Sequence, residues 1–258
     1  MSADTQRVGT LVLMPNTLDL GAEPVPLETV LPREALSQAA RIGHWVVENA
    51  KSTRALLKRV AAVVPLSQPL QALSIIELPR APKGTGASAP APQVMDALLA
   101  PALKGHDVGL VSEAGLPGVA DPGAALVEAA HRLGVPVLPL AGPSSLMMAL
   151  SASGLNGQSF AFVGYLPTDA GSRQGRLREL EAHSRRWAQT QLVIETPYRN
   201  PVLLQAMLNG LSPTTRLSVS CALTLPEGWT RTDTVAGWRS RPSALPDRLP
   251  AVFSFLAV

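Results

Sequence analysis

The residues best equipped for chemistry in this 258-residue chain lie where apolar runs end. Glu48 closes HWVVE, Glu113 follows DVGLVS, and Glu195, Tyr198 and Arg199 sit together in VIETPYRN. A carboxylate held at a strand end can take a proton or a hydrogen bond from a substrate. An acid, a phenol and a guanidinium side by side can hold a polar group, or can form a structural ion pair with a helix cap at Asn200. The four histidines, His44, His106, His131 and His183, follow neither a triad pattern nor a metal-ligand spacing. One cysteine, Cys221, excludes an internal disulfide and a cysteine-built metal cluster, and within RLSVSCAL it reads as a small buried strand residue.

Three loops after apolar runs offer backbone rather than side chains. LVSEAGLPGVADPG, Leu110 to Gly123, is a strand running into a loop in which Gly115, Gly118 and Gly123 permit close approach, while Pro117 and Pro122 stiffen the path. It reads as a ligand loop or as an ordinary strand-to-helix turn. In LPLAGPSSLMMALSASG, Ser144 stands where a helix N-cap belongs, ahead of the apolar run Leu146 to Leu150. Free N–H groups at that helix start can hold a carboxylate or a ribose oxygen, although a capped helix needs no ligand. MPNTLDLG, Met14 to Gly21, is neither GxGxxG nor a phosphate-binding P-loop.

These loops need a sheet to position them. Strands are predicted over 10–15, 44–48, 73–78, 107–112 and 135–140, with helices over 51–61, 94–103 and 124–133 between them. Short apolar strands alternating with helices predict an α/β domain with a mostly parallel sheet. From about Ser159, strands in SFAFVG, TQLVIE, RLSVSCAL, TRTDTV and AVFSFLAV, with helices near 172–186 and 201–211, predict a second α/β domain with a mixed sheet. The small-residue segment SASGLNG puts the boundary there, with domains over 1–153 and 154–258. The stretch 81–92, APKGTGASAPAP, reads as a surface linker or a lid.

Composition narrows the class. Hydrophobic residues make up 46% and charged residues 16%, as in a globular protein with a sizeable core. No apolar run reaches the roughly 18 residues of a membrane span, and the N-terminus lacks a signal-peptide pattern, so a cytoplasmic location without membrane attachment is expected. A net charge of +3 is too mild to mark a nucleic-acid binder, and no DNA partner is expected. Arg173, Arg176, Arg178, Arg185 and Arg186 do cluster in one segment, either facing phosphate or forming a solvated helix face.

Taken together, LVSEAGLPGVADPG, VLPLAGPSSLMMALSASGL, FAFVGYLP and IETPYRN resemble the tetrapyrrole (corrin/porphyrin) methylase superfamily of S-adenosylmethionine-dependent methyltransferases. The match is strongest to its small-subunit ribosomal RNA methyltransferase I branch, and it runs from about Thr10 to Val258. The resemblance implies the class III methyltransferase fold of two α/β domains, with the cofactor in the cleft between them, and a homodimer. It implies cofactor contacts at Pro15, at Ala114, Gly115, Leu116 and Val119, at Ser144 and Ser145, and at Glu195, Cys221 and Ala222, mostly through backbone groups. S-adenosylhomocysteine would be the product. The first domain would carry most cofactor loops and the second would face the substrate.

Departures fall where substrate is expected. Glu48, Asn49, Ala50 and Lys51 replace the branch's EDTR, CALTLP replaces ARELTK, and a late KGE motif is missing. The chain therefore reads as a divergent paralogue whose acceptor is ribosomal RNA, in 2'-O-methylation style, or a small tetrapyrrole-like molecule. A catalytically inactive cofactor-binding regulator is the alternative. Side-chain assistance, if used, falls to Glu48, Glu113, Tyr198 or Arg199.

Overall fold

The computed structural model describes residues 7–19, 25–79, 91–246 and 248–258. The stretch 81–90, read above as a linker or lid, and residues 20 and 21 of the first loop lie outside the described residues. The chain divides into two compact units that meet in sequence between Pro143 and Ser144.

Unit one is built from β1 (Leu11–Leu13), α1 (Arg33–Arg41), β2 (His44–Val47), α2 (Ala50–Val63), β3 (Ser74–Glu77), α3 (Pro92–Leu98), α4 (Ala100–Leu103), β4 (Val108–Val111), α5 (Ala124–Arg132) and β5 (Val137–Pro139). Its strands lie in the order β3-β2-β4-β1-β5, and every pairing is parallel. Successive side chains of a strand point to opposite faces, so one strand feeds two cores. Val12, Met14, Trp45 and Val47 join Leu36 and Leu57 of α1 and α2, whereas Leu11, Val46, Val108 and Leu110 join Met95, Leu99 and Leu126 on the other side. Gly109 is fixed by this packing, because a Cβ there would lie 2.6 Å from the Trp45 ring.

Two elements differ from the sequence reading. The helix predicted over 94–103 is two short helices, because Pro101 has no N–H to donate and Leu99 caps the first segment. Helix α1 was not anticipated, although Ala35, Leu36, Ala39 and Ala40 repeat on one face at helical spacing and form its buried side.

Unit two comprises α6 (Ser145–Ser153), β6 (Phe160–Phe162), α7 (Ala170–Trp187), β7 (Thr190–Ile194), α8 (Asn200–Gly210), β8 (Arg216–Cys221), β9 (Trp229–Thr234), α9 (Val235–Ser240) and β10 (Ala251–Leu256). The order is β6-β7-β10-β8-β9; β6 and β7 are parallel and the other pairs antiparallel, which gives the expected mixed sheet. The last strand of the chain thus sits at the centre. Leu146, Ala149 and Leu150 of α6 pack on Leu192 and Val252 of this sheet. That contact carries α6 into unit two and moves the division ahead of the boundary expected after residue 153. Trp238 of α9 is fully buried, donates Nε1–H to the Leu217 carbonyl at 2.8 Å, and has the Arg231 guanidinium 4.0 Å over its ring.

Candidate functional site

In unit one the parallel strands bring β2, β3 and β4 to a common end, with Val47 level with both Glu77 and Val111. Residues just past those ends line a cavity of about 580 Å³: Glu48 after β2, Leu78 after β3 and Glu113 after β4, with Asp121, Met95 and Leu126 completing the wall. Open parallel sheets bind ligands at this edge.

The carboxylates are placed by backbone. Glu48 Oε2 accepts the Glu113 N–H at 2.9 Å, and Glu77 Oε1 accepts the Ala50 N–H at 2.8 Å at the start of α2. Asn49 caps α2, its Oδ1 accepting from the Lys51 and Ser52 N–H groups. Asp121 reaches the cavity on the turn before α5. Burial, then the charges of Glu48 and Glu113, push its carboxyl up to about 6. This wall offers carboxylate oxygens to hydrogen-bond donors such as hydroxyl groups and to cations. Among the described residues no group of three or more His, Cys, Asp or Glu side chains is arranged to hold a metal ion.

The loop from Ser112 to Gly123 is locked on its other side by Asn16. This side chain, nearly buried, donates from Nδ2 to the carbonyls of Ser112 and Glu113 at 2.9 and 3.0 Å. Its N–H donates to the Gly115 carbonyl at 2.8 Å, and the Gly115 N–H returns a bond to the Thr17 carbonyl. Gly115, Gly118 and Gly123 all adopt positive φ, a backbone conformation that favours glycine. Beside them Pro15 is buried, and a Cβ on Gly142 would lie 2.1 Å from its Cβ, so the loops after β1 and β5 touch directly.

Of the residues named for the cofactor in unit one, none lines the carboxylate cavity. The Ala114 and Leu116 N–H groups donate to no described residue, whereas both polar groups of Gly115 are taken by the first loop. Val119 is exposed. Among the described residues the Ala114 and Leu116 N–H groups therefore have no acceptor, which suits a ligand held through backbone.

In unit two, Ser144 is the N-cap of α6, its Oγ accepting from the Met147 N–H at 3.5 Å, and Ser145 begins the helix half-buried. Glu195 is committed locally: it accepts the Thr196 N–H at 2.8 Å and pairs with Arg199 Nε at 3.3 Å, with a side chain only 6% exposed. The structural ion pair therefore describes Glu195 and Arg199. Asn200 does not cap α8; it is fully buried and donates to the Leu249 carbonyl. Tyr198 is 71% exposed. Cys221 is buried, and burial followed by Glu227 raises its thiol pKa, which disfavours a thiolate. Ala222, at positive φ, donates to the Pro250 carbonyl and accepts from Leu225.

Sequence reasoning named Glu48 and Glu113 but missed Asp121 and Asn16. Asp121 lay within the quoted motif, two residues before a glycine; only its enclosure by two other carboxylates gives it weight. Asn16 was hidden because its partners are 96 and 97 residues away.

A parallel-sheet unit with its ligand loops at the carboxyl edge, followed by a mixed-sheet unit, defines a two-unit α/β protein of the methylase type. The sequence profile of the Tetrapyrrole (Corrin/Porphyrin) Methylases matches residues 29–236, and the chain belongs to that family. It is 43% identical over 109 residues to a ribosomal RNA small subunit methyltransferase I from Vibrio cholerae, covering 42% of this chain and 36% of that protein. It is 36% identical over 132 residues to the protein of that name from Neisseria meningitidis, covering 51% and 44%. These matches span less than half the length of either relative. The fold is similar to that of diphthine synthase, with a TM-score of 0.59 and 14% identity over 96% of this chain and 90% of that one. It is also similar to the methyltransferase CobJ, with a TM-score of 0.53 and 16% identity over 97% and 100%.

Proposed function

We propose that this chain is an S-adenosylmethionine-dependent methyltransferase whose acceptor is an RNA hydroxyl received by the carboxylate cavity of unit one. The carrying observation is the Glu48–Glu113–Asp121 wall beyond the strand ends, in a chain of a methylase family. The names of the ribosomal RNA relatives support RNA as the acceptor class.

When bound, S-adenosylmethionine supplies a methyl group already activated by its sulfonium. In unit one, Pro15, Ala114, Leu116 and Val119 would hold it, with Gly115 supporting their loop; in unit two, the start of α6 at Ser144 and Ser145 would do so. Glu195, Cys221 and Ala222 already bond within their own unit. Asp121 accepts the proton of the acceptor hydroxyl, since a carboxyl near 6 is ionised at neutral pH yet basic for its type. Glu48 positions Glu113 through its main chain, and Glu113 orients the acceptor by accepting a further hydrogen bond. Tyr198 is exposed beside the Glu195–Arg199 pair and would face the substrate.

The protein would act in the cytoplasm, where both substrate and donor occur, as a homodimer; a sedimenting monomer at micromolar concentration would remove the dimer. Radiolabelled methyl transfer to RNA and, in parallel, to a metabolite extract from a strain lacking the protein tests the reading. Label in RNA is expected. Label only in a small molecule overturns the acceptor class, and cofactor binding by calorimetry without any labelled product makes the chain a regulatory binding protein.

A further inference from the structure

The arginine-rich segment singled out in the sequence becomes α7, and the structure sorts its arginines into two groups. Arg173 is buried and donates to the Pro167 and Thr168 carbonyls; Arg176 pairs with Glu179 at 2.7 Å. Neither is free for a partner. Arg178, Arg185 and Arg186 are exposed, although Arg185 Nε donates to the Val258 carbonyl at 3.1 Å, and His183 and Trp187 are exposed near Arg186. Glu181 points inward, accepting from the Ser212 N–H and the Thr215 hydroxyl. Helix α8, packed alongside, has no charged residue. Past Glu179, this half of α7 therefore presents cations with no acid among them.

Trp187 sets this patch apart from an ordinary solvated helix face. It is 56% exposed at the last turn, with the Arg186 guanidinium 5.0 Å over its ring and the His183 ring meeting it edge-on at 6.5 Å. A flat aromatic with cations around it is the combination that holds single-stranded nucleic acid: bases stack on the ring, and guanidinium groups take phosphates or extend the stack. The flanking Ala182 and Ala188 offer no apolar side chains large enough to enter a lipid layer.

We propose that the C-terminal end of α7 is a docking surface for single-stranded RNA, with Trp187 as the stacking platform and Arg186 as a phosphate contact. It rests on RNA being the acceptor and adds where the strand is gripped outside the carboxylate cavity.

The test uses the whole chain and a fluorescein-labelled single-stranded RNA of roughly 12 nucleotides. Trp187→Ala should weaken binding about tenfold while leaving the salt dependence unchanged, and Trp187→Phe should stay within about threefold of the parent. Arg186→Glu should weaken it at least about fivefold and flatten the salt slope by about 1. All three variants change exposed positions, so circular dichroism should be unaltered. Variants that all bind within about twofold of the parent overturn the proposal, as does capture of phosphatidylserine vesicles in place of RNA. Methyl transfer measured in parallel separates the two readings: labelled RNA with indifferent variants removes only the docking surface, whereas variant-sensitive RNA binding without labelled RNA removes only the acceptor assignment.

Discussion

The main-chain N–H of Glu113 donates to Oε2 of Glu48 across 2.9 Å, so the carboxylate that ends one strand caps the first turn beyond its neighbour. The two residues are 65 positions apart, and parallel pairing of β2 with β4 brings them together. The bond aims Glu48 along the cavity rim and fixes where the ligand loop departs. Glu48→Ala should cost about 1 kcal/mol of stability in urea unfolding, the lower end for a bond to a charged group because this one is open to water. Glu48→Gln keeps an acceptor and should lose less than half of that. If both variants unfold with the parent's midpoint, the bond has no structural role.

Asp121 makes the cavity pH-sensitive. Its carboxyl is raised from 3.8 to about 6 by burial, then by Glu48 and Glu113, so the folded protein holds this proton more tightly than the unfolded chain does. Stability from this group is therefore present below about 4 and is lost as pH rises through about 6. Solvent access to the turn reduces the effect to about 1 kcal/mol. Asp121→Asn should gain roughly that much at pH 7.5 and nothing at pH 4. Methyl transfer by the parent should rise with pH through about 6, and Glu48→Gln should move that limb to lower pH by removing a repelling charge. A limb unmoved by Glu48→Gln would separate the rate from this cluster.

Asn16 is a structural clamp whose loss should be felt at the ligand loop. Asn16→Ala leaves the Ser112 and Glu113 carbonyls without their donor and should destabilise by about 2 kcal/mol. Asn16→Asp should be worse, since it sets a carboxylate against two carbonyl oxygens. Both should weaken S-adenosylmethionine binding by calorimetry at temperatures where the protein remains folded. Affinity unchanged in both would mean that the loop after β4 does not hold the cofactor.

The parts legible in the sequence are those governed by local rules. Alternating apolar strands and helices give both sheets, and the Ser144 cap follows from a serine ahead of an apolar run. Relations at long range were not legible. The Asn16 clamp, the enclosure of Asp121 and the central place of β10 each depend on pairings between distant segments. Two other differences are local. Helix α1 carries a one-faced pattern at Ala35, Leu36, Ala39 and Ala40 that the sequence reading passed over, and SASGLNG looks like a boundary although α6 ahead of it is already packed on the second sheet. The arginine cluster shows the limit most sharply, because side chains identical in sequence are divided into buried, paired and exposed members by the fold alone.

Ala120 tests whether the ligand loop is held in its working shape against local preference. It adopts φ +64, a conformation that costs a residue with a Cβ about 1 kcal/mol and glycine nearly nothing. Ala120→Gly relieves that strain but also loosens the unfolded chain, so the net gain should be about 0.5 kcal/mol. Gly123→Ala runs the other way: φ is +137, and the new Cβ would lie 3.0 Å from Leu110 Cδ2, beneath the start of α5. It should destabilise by about 2 kcal/mol and displace the neighbouring Asp121. The pair separates rigidity from shape. If Ala120→Gly stabilises the fold yet slows methyl transfer, the strained alanine serves to keep the turn rigid; if stability and rate rise together, the strain has no function.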